Sequence, residues 1–590
     1  MARRLPGQRT VNGRSLAAAL LVALTGCAGA GSSGGSLPAG TGTAGVTGPG
    51  SGTAGSGLGP GTAGSGGGAG GTGGSPLPPE MELESSYEIP VATGHFIWTA
   101  NPQSGRVAYV DATTLEVHTV EAGNAPTYIA AIPGADDAVI VLNVLSDDAT
   151  VLRITAAGLS TATIRGVAHG ANALAVSADG RWAIAWTDAR RVANAPATEG
   201  YQDLTVIDLH ADPQSAIAKT IVAAGFRPVS IAFAADGTRA FAVTEDGITV
   251  IALGGGAARV TKNVIVTDDP TEDADTRDVS ITPSGGLAVI RREGSAVIGV
   301  IDLGTGARST ITLSGAVTDL DLSSDGARAV AVVRDTAEVA VVPLDAGVPS
   351  AAAVTHVTIA GETVGSVAIA PGGGVALLYS NAIALERITV LVLAPTPSYR
   401  VVKLHAPVLS VFPTANGASA VVIHADTTTG SAATGAGGTG SATAGTGGNG
   451  DAGAAVIADA GALPPAGPRP GRAFSLVPLA DDLPAKIQTT DAPPEAVVLS
   501  PTGDRALITA HDDVKHVYAV YLGLFPTLEV QRVALASPPI AAGIVPAAGR
   551  GYVAQKHPEG RLTVVTLTTG EARTLTGFEL GSRVVDWTQP

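Results

Sequence analysis

One apolar hexamer recurs through the chain and sets what it can fold into. It reads RVAYVD at 106, TVLRIT at 150, LTVIDL at 204, ITVIAL at 248 and IGVIDL at 298. It continues as VAVVPL at 339, ITVLVL at 388, FSLVPL at 474, VYAVYL at 517 and LTVVTL at 562. The copies are spaced 44, 54, 44, 50, 41, 49, 86, 43 and 45 residues apart. A period of 40–50 residues marks one supersecondary unit repeated side by side. The one long spacing, 86, spans a Gly-rich stretch, and removing Thr427–Gly471 brings it to 41. That stretch is therefore an insertion inside one of ten units.

Each unit has the same internal order. A first strand runs into a turn, as in ALAVSADG at 173, SIAFAADG at 230, DLDLSSDG at 319 and AVVLSPTG at 496. A second strand follows, such as RWAIAWTD at 181 or RALITAHD at 505. The hexamer is the third strand, and a segment such as ARSTITLSG at 307 is the fourth. The turns carry Asp-Gly or Gly-Gly, residues that accept positive φ in tight hairpins. The strands are short, β-branched and apolar on both faces, as in sheets packed between two other sheets. Four antiparallel strands per unit with no helical segment predict an all-β fold, a β-propeller of about ten blades. Fewer blades with irregular additions, or two smaller rings, are the alternatives.

The ends of the array predict how the ring closes. HFIWTAN at 95 reads as a second strand with no first strand before it. SRVVDWTQ at 582 reads as a first strand with no unit behind it. Pairing of the C-terminal strand with the first blade leaves no exposed edge. Removal of the last eight residues is then expected to destabilise the ring.

The first 27 residues carry four arginines, at 3, 4, 9 and 14, then an apolar run from Leu16 to Leu24. Nine helical residues rise roughly 14 Å, well short of a roughly 30 Å hydrocarbon core. The run thus reads as a signal peptide, residues 1–26, rather than a spanning helix. Leu24-Thr25-Gly26-Cys27 resembles the bacterial lipobox, and this resemblance implies a lipidated Cys27. Acyl chains contribute about 0.8 kcal/mol per buried CH₂, so several together hold a protein on a membrane. Ala28 in place of Asp favours the outer membrane, with the protein facing periplasm or cell surface. Residues 27–79 are a Gly/Ser/Thr-rich tether with nothing to bury. A coil of that length spans roughly 40 Å. The propeller occupies 80–590, interrupted by the insertion at 427–471.

The unit order of strand, Ser-Ala-Asp-Gly turn, strand and V-x-V-I-D-L resembles the YVTN-type repeats of bacterial β-propellers. IWTAN at 97 and GYVAQ at 551 are the matches to the family's Tyr-Val-Thr-Asn strand.

Propellers gather binding residues on the face where loops after the second strand converge. Here those loops carry Asp188, Arg190, Glu245, Asp246, Arg291, Arg292, Arg334, Asp335, His424, Asp426, His511, Asp512, Asp513, Gln555 and His557. His424, His511 and His557 occupy near-equivalent places in three successive units, a candidate zinc or copper set. Asp268, Asp269, Asp273 and Asp275 form the densest acidic run, of a chemistry that suits Ca²⁺. Any hairpin end in water is also polar. No nucleophile motif is present, and no catalytic residue or cofactor is expected. With one cysteine an internal disulfide is impossible, and a formal charge of −16 disfavours nucleic acid. The reading is a membrane-anchored envelope protein that binds or scaffolds a protein partner. A propeller-axis enzyme, such as a lactonase-like or metal-dependent hydrolase, is the alternative.

Overall fold

The computed structural model describes residues 90–581, except 136, 212–217, 270, 427–468 and 481–482. Its strands form ten four-stranded sheets, each built from four consecutive strands in simple up-and-down order. Every strand pair is antiparallel, from Val91↔Trp98 in the first sheet to Val565↔Ala572 in the last. We number the sheets as blades one to ten. All ten hexamers are third strands, from Arg106–Asp111 in blade one to Arg561–Thr566 in blade ten.

Period-two alternation turns each blade into a wedge with two apolar faces. In blade six, Val330 and Val332 point into blade seven, whereas Ala329, Ala331 and Val333 point into blade five. Ten such apolar clusters fill ten seams, one between each neighbouring pair. The tenth joins the two ends of the chain: Ile97, Ala108 and Val110 of blade one pack on Tyr552, Ala554 and Val564 of blade ten. The array is one closed ring of ten blades, which removes the alternatives of fewer blades or two rings.

Local sequence explains the strand roles. Second strands are buried throughout, such as Ala138–Asn143, because a blade covers each face. Outer strands such as Val117–Glu121 are mostly exposed. Several inner strands open on proline: Pro126, Pro228, Pro494 and Pro539. Proline lacks an N–H, so it suits the first residue of an edge strand. In each of these four the register slips after the proline, as between Pro228 and Ser230.

One expectation about the ring's ends is corrected. A first strand does precede His95: Val91–Ala92 pairs with Ile97 and Trp98 through a tight turn at Thr93. Two residues are too few to print a pattern in the sequence. Residues 582–590, expected to close the ring, lie outside the described residues. Described closing contacts run from Tyr552 Oη to the Pro90 carbonyl, 2.7 Å, and from Asn101 Nδ2 to the Phe578 carbonyl, 2.9 Å.

Four-stranded meanders place two kinds of connection at opposite ends. Turns between first and second strands, and between third and fourth, share one face, the turn face. Loops between second and third strands share the other, the loop face, with the crossings to the next blade. Backbone bonds tie these loops together, as from Val144 N to the Ala125 carbonyl and from Glu245 N to the Phe226 carbonyl. On the turn face the first turns touch in succession: Ala235 N donates to the Pro283 carbonyl across one seam. Gly180 in this ring has φ +69°, and a Cβ there would lie 1.8 Å from the Pro133 carbonyl oxygen. The insertion leaves blade eight between Asp426 and Arg469, where Asp426 N still bonds the Arg469 carbonyl at 2.8 Å. The third strand, Pro470–Pro478, already includes Gly471, so the insertion ends slightly earlier than the sequence suggested.

Candidate functional site at the channel

The loop face carries the charged residues that the sequence singled out, and several are paired with a neighbouring opposite charge. Arg190 donates two bonds to Asp188 and a third, 2.9 Å, to the Val229 carbonyl of blade four. Arg292 pairs with Glu272 at 3.0 Å. Asp512 pairs with Arg472. Arg277, which the sequence did not single out, is buried and donates to the Thr244 and Glu245 carbonyls.

The three histidines do not form a metal set. His424 is buried in blade eight with both ring nitrogens engaged. Nδ1 lies 3.1 Å from the Pro407 carbonyl, which only accepts, so Nδ1 carries the proton. Nε2 then accepts from Ser475 Oγ at 2.7 Å. Burial pushes its pKa down. His511 Nδ1 faces Glu495 Oε2 at 2.6 Å in blade nine. His557 Nδ1 accepts from Glu559 N at 3.2 Å in blade ten. Among the described residues no group of three or more His, Cys, Asp or Glu side chains is placed to hold a metal ion.

The acidic run is likewise dispersed. Asp268 pairs with Arg308 at 2.8 Å. Asp269 accepts from Thr271 N and Oγ1. Asp273 caps the short 3₁₀ turn Ala274–Thr276 by accepting from Asp275 N at 3.0 Å. The local hydrogen bonding of a loop uses these carboxylates one at a time. Asp275 differs: desolvation, then the Asp273 charge, raises its pKa. It interacts with Arg190, Arg227 and Glu245 across blades three to five. Glu245 is also raised, chiefly by burial, against the pull of Arg227 3.6 Å away. Cys27 lies outside the described residues.

Deeper in, the inner strand of blade six, Asp319–Leu322, carries two carboxylates that sequence reasoning left as strand residues. Asp319 and Asp321 are two apart, so their side chains leave the same face. Each reaches the neighbouring inner strand, Ser366–Ile369 of blade seven. Asp319 Oδ2 accepts from Val367 N and Asp321 Oδ2 from Ile369 N, both at 2.7 Å. The other oxygens accept from Leu320 N and Leu322 N. Arg291 of blade five adds a positive charge near Asp319. Its guanidinium is buried, pairs with Asp278, and donates to the Thr318 carbonyl at 3.2 Å. Burial pushes Asp319 well above the usual carboxylate range and Asp321 up to about 6. The signal was present in the sequence: DLDL puts acids where equivalent strands read ALAV or SVAI.

The His511–Glu495 pair gives a testable pH effect. The hydrogen bond that His511 Nδ1 donates to the Glu495 carboxylate raises the His511 pKa above 6.5. A raised histidine contributes stability that is complete below about pH 6.5 and lost as pH rises through its folded value. His511→Asn is expected to lower the melting temperature at pH 5.5 and to change it little at pH 9. Scans at the two pH values check this.

No family model and no curated protein matches this chain. Among solved structures it is similar to hydrazine synthase of Kuenenia stuttgartiensis at 17% identity. That match covers 53% of this chain and 97% of the other, with a TM-score of 0.29. It is also similar to the dihydro-heme d1 dehydrogenase NirN in complex with DHE, at 13% identity. There 78% of this chain and 77% of the other are covered, with a TM-score of 0.35. At these TM-scores the likeness carries no argument about activity, and the propeller rests on its own sheets and seams.

Proposed function

We propose that this chain is a lipid-anchored, non-catalytic propeller of the bacterial envelope that presents a rigid disc to a protein partner. Its repeats, in this reading, are of the YVTN type, and Cys27 carries the lipid. The observation that carries the reading is a shared face. The first and last described residues, Pro90 and Gly581, and the two that flank the insertion, Asp426 and Arg469, all lie on the loop face. The turn face is crossed by none of these. A tethered disc whose turn face lies opposite these four points suits capture, because anchoring raises local concentration. The loop-face charges support the same reading, since arginines such as Arg190 and Arg292 are spent on neighbouring carboxylates.

Cys27→Ser tests the anchor. Metabolic palmitate label and membrane retention are both expected to disappear. A variant still labelled and membrane-bound overturns the anchor. A photo-crosslinker at Thr238, on the turn face, is expected to give discrete protein adducts in cells that the same probe at His557 does not. Equal adduct patterns from both positions overturn the turn face as the docking side.

A second reading, an enzyme working from the channel, is favoured by Glu245, Asp275, Asp319 and Asp321, whose carboxyls are all raised. Raised acids suit proton transfer. Turnover of lactone or ester substrates that is lost in Asp321→Asn supports it.

A further inference from the structure

The turn between the first and second strands of blade eight departs from its counterparts at one residue. Those turns read Ser-Ala-Asp-Gly at 177–180, Ala-Ala-Asp-Gly at 234–237 and Ser-Ser-Asp-Gly at 323–326, whereas blade eight has Thr-Ala-Asn-Gly at 414–417. An Asn-Gly pair carries a chemistry of its own. The backbone nitrogen of the glycine can attack the side-chain carbonyl carbon of the asparagine, and no Cβ on the glycine stands in the way. Among the described residues Asn416-Gly417 is the one such pair.

The fold holds this asparagine in an unreactive pose. Oδ1 accepts from Thr414 Oγ1 at 2.7 Å and from Ala418 N at 3.0 Å. Equivalent aspartates make the same two bonds inside their turns: Asp325 Oδ1 accepts from Ser323 Oγ and Ala327 N. Nδ2 does what an aspartate cannot. It donates across the seam to the Thr502 and Gly503 carbonyls of blade nine, at 3.2 and 3.4 Å. Carbonyls only accept, which fixes the amide's orientation. Gly503 covers the group so closely that a Cβ there would lie 2.6 Å from Asn416 Cγ. The attacking atom is engaged too: Gly417 N donates to the Thr414 carbonyl at 2.8 Å. Four bonds thus pin the amide, and a fifth occupies the nucleophile.

We propose that Asn416 is a deamidation site held shut by the seam between blades eight and nine, so that its covalent state records how often that seam has opened. The reaction needs only water, and Asn416 lies at the surface. Gly417 N gives up its proton and forms a bond to Cγ. The Cγ–Nδ2 bond breaks, and Nδ2 leaves with that proton as ammonia. Water then opens the succinimide ring at either carbonyl, giving aspartate or isoaspartate. Both products weaken the seam. Aspartate keeps the two bonds inside the turn but loses the donor, and it sets a carboxylate against two carbonyl oxygens. Isoaspartate lengthens the backbone inside a turn where Gly417 has φ +64°. A seam that has reacted is therefore held less firmly than one that has not.

The test is peptide mapping of residue 416 after incubation of the full chain in mildly alkaline buffer, folded and in urea. Aspartate and isoaspartate are expected to form readily in urea and at least about tenfold more slowly in the folded protein, where reaction waits for local opening. Gly503→Ala pushes the amide out of its place, and it is expected to speed the folded reaction while leaving the rate in urea unchanged. Asn416→Asp, which is one of the products, is expected to lower the urea midpoint. Equal rates in the folded and urea-unfolded unsubstituted chain overturn the proposal, as does a chain that stays unmodified at 416 in urea. A folded Gly503→Ala protein that reacts no faster shows that the seam is not the guard. Should that variant fail to fold, the folded and unfolded rates of the unsubstituted chain decide alone. An Asn416→Asp protein with an unchanged midpoint overturns the weakening of the seam.

Discussion

Trp98→Ala is expected to be the most damaging single substitution in the first half of the ring, at about 3–5 kcal/mol. The indole is fully buried and lies between blades one and two, against Ile129, Val139 and Val141. Its centroid is 5.1 Å from Tyr109 and 6.1 Å from Phe96, a cluster of aromatics in a chain that is only 4% aromatic. Truncation therefore leaves a cavity that small neighbours cannot refill. It also removes the bond from Nε1 to Thr93 Oγ1, 2.9 Å. Thr93 Oγ1 in turn donates to the buried Asp137, which holds the backbone N–H of His95. The loss thus extends to the turn that sets the first inner strand. Ile97, the preceding residue, faces the closing seam with blade ten, so the damage lies beside the ring's junction. Trp98→Phe, which refills part of the volume, is expected to cost distinctly less. Urea midpoints of the three proteins check the order. A Trp98→Ala protein with an unchanged midpoint would show that this seam contributes nothing to the cooperative unit.

How much of this was legible in the sequence depended on how many residues carried each feature. The third strand repeats ten times as six apolar residues, and each hexamer became one. Wedge packing demands two apolar faces at that place, so the pattern cannot drift. The first strand of blade one has two residues and no pattern, so the sequence did not show it. The histidine set failed for a different reason. Equal places along successive units lie on different blades around a wide ring, and the near neighbours of each histidine are other residues, such as Ser475 beside His424 and Glu495 beside His511. Sequence spacing counts units and does not measure distance across a channel. Asp319 and Asp321 were visible as letters but not as a site, because their partners are backbone N–H groups of another blade. Backbone partners leave no trace in residue type.

Arg291→Leu is the second large effect expected, because the cation it removes serves two carboxylates. Arg291 is 6% exposed and Asp278 is 15% exposed in side-chain terms. Removing one member of a buried pair leaves an uncompensated charge and costs about 3–5 kcal/mol. The same cation is the charge that holds the Asp319 pKa down, so its loss raises that group further. The variant should therefore lose more stability at pH 8 than at pH 5, where Asp319 is closer to being protonated. Isosteric removal of the other charge makes the argument reversible. Asp278→Asn added to Arg291→Leu is expected to recover part of the loss. Urea midpoints of the four proteins of this cycle, at both pH values, give the coupling directly. If Arg291→Leu costs the same at both pH values, the carboxylates it faces are not the groups that pay for its absence. The stability of the channel wall would then rest on the guanidinium's bonds to the Val317 and Thr318 carbonyls. In that case Arg291→Gln, which can still reach one of those carbonyls, should restore more stability than Asp278→Asn does.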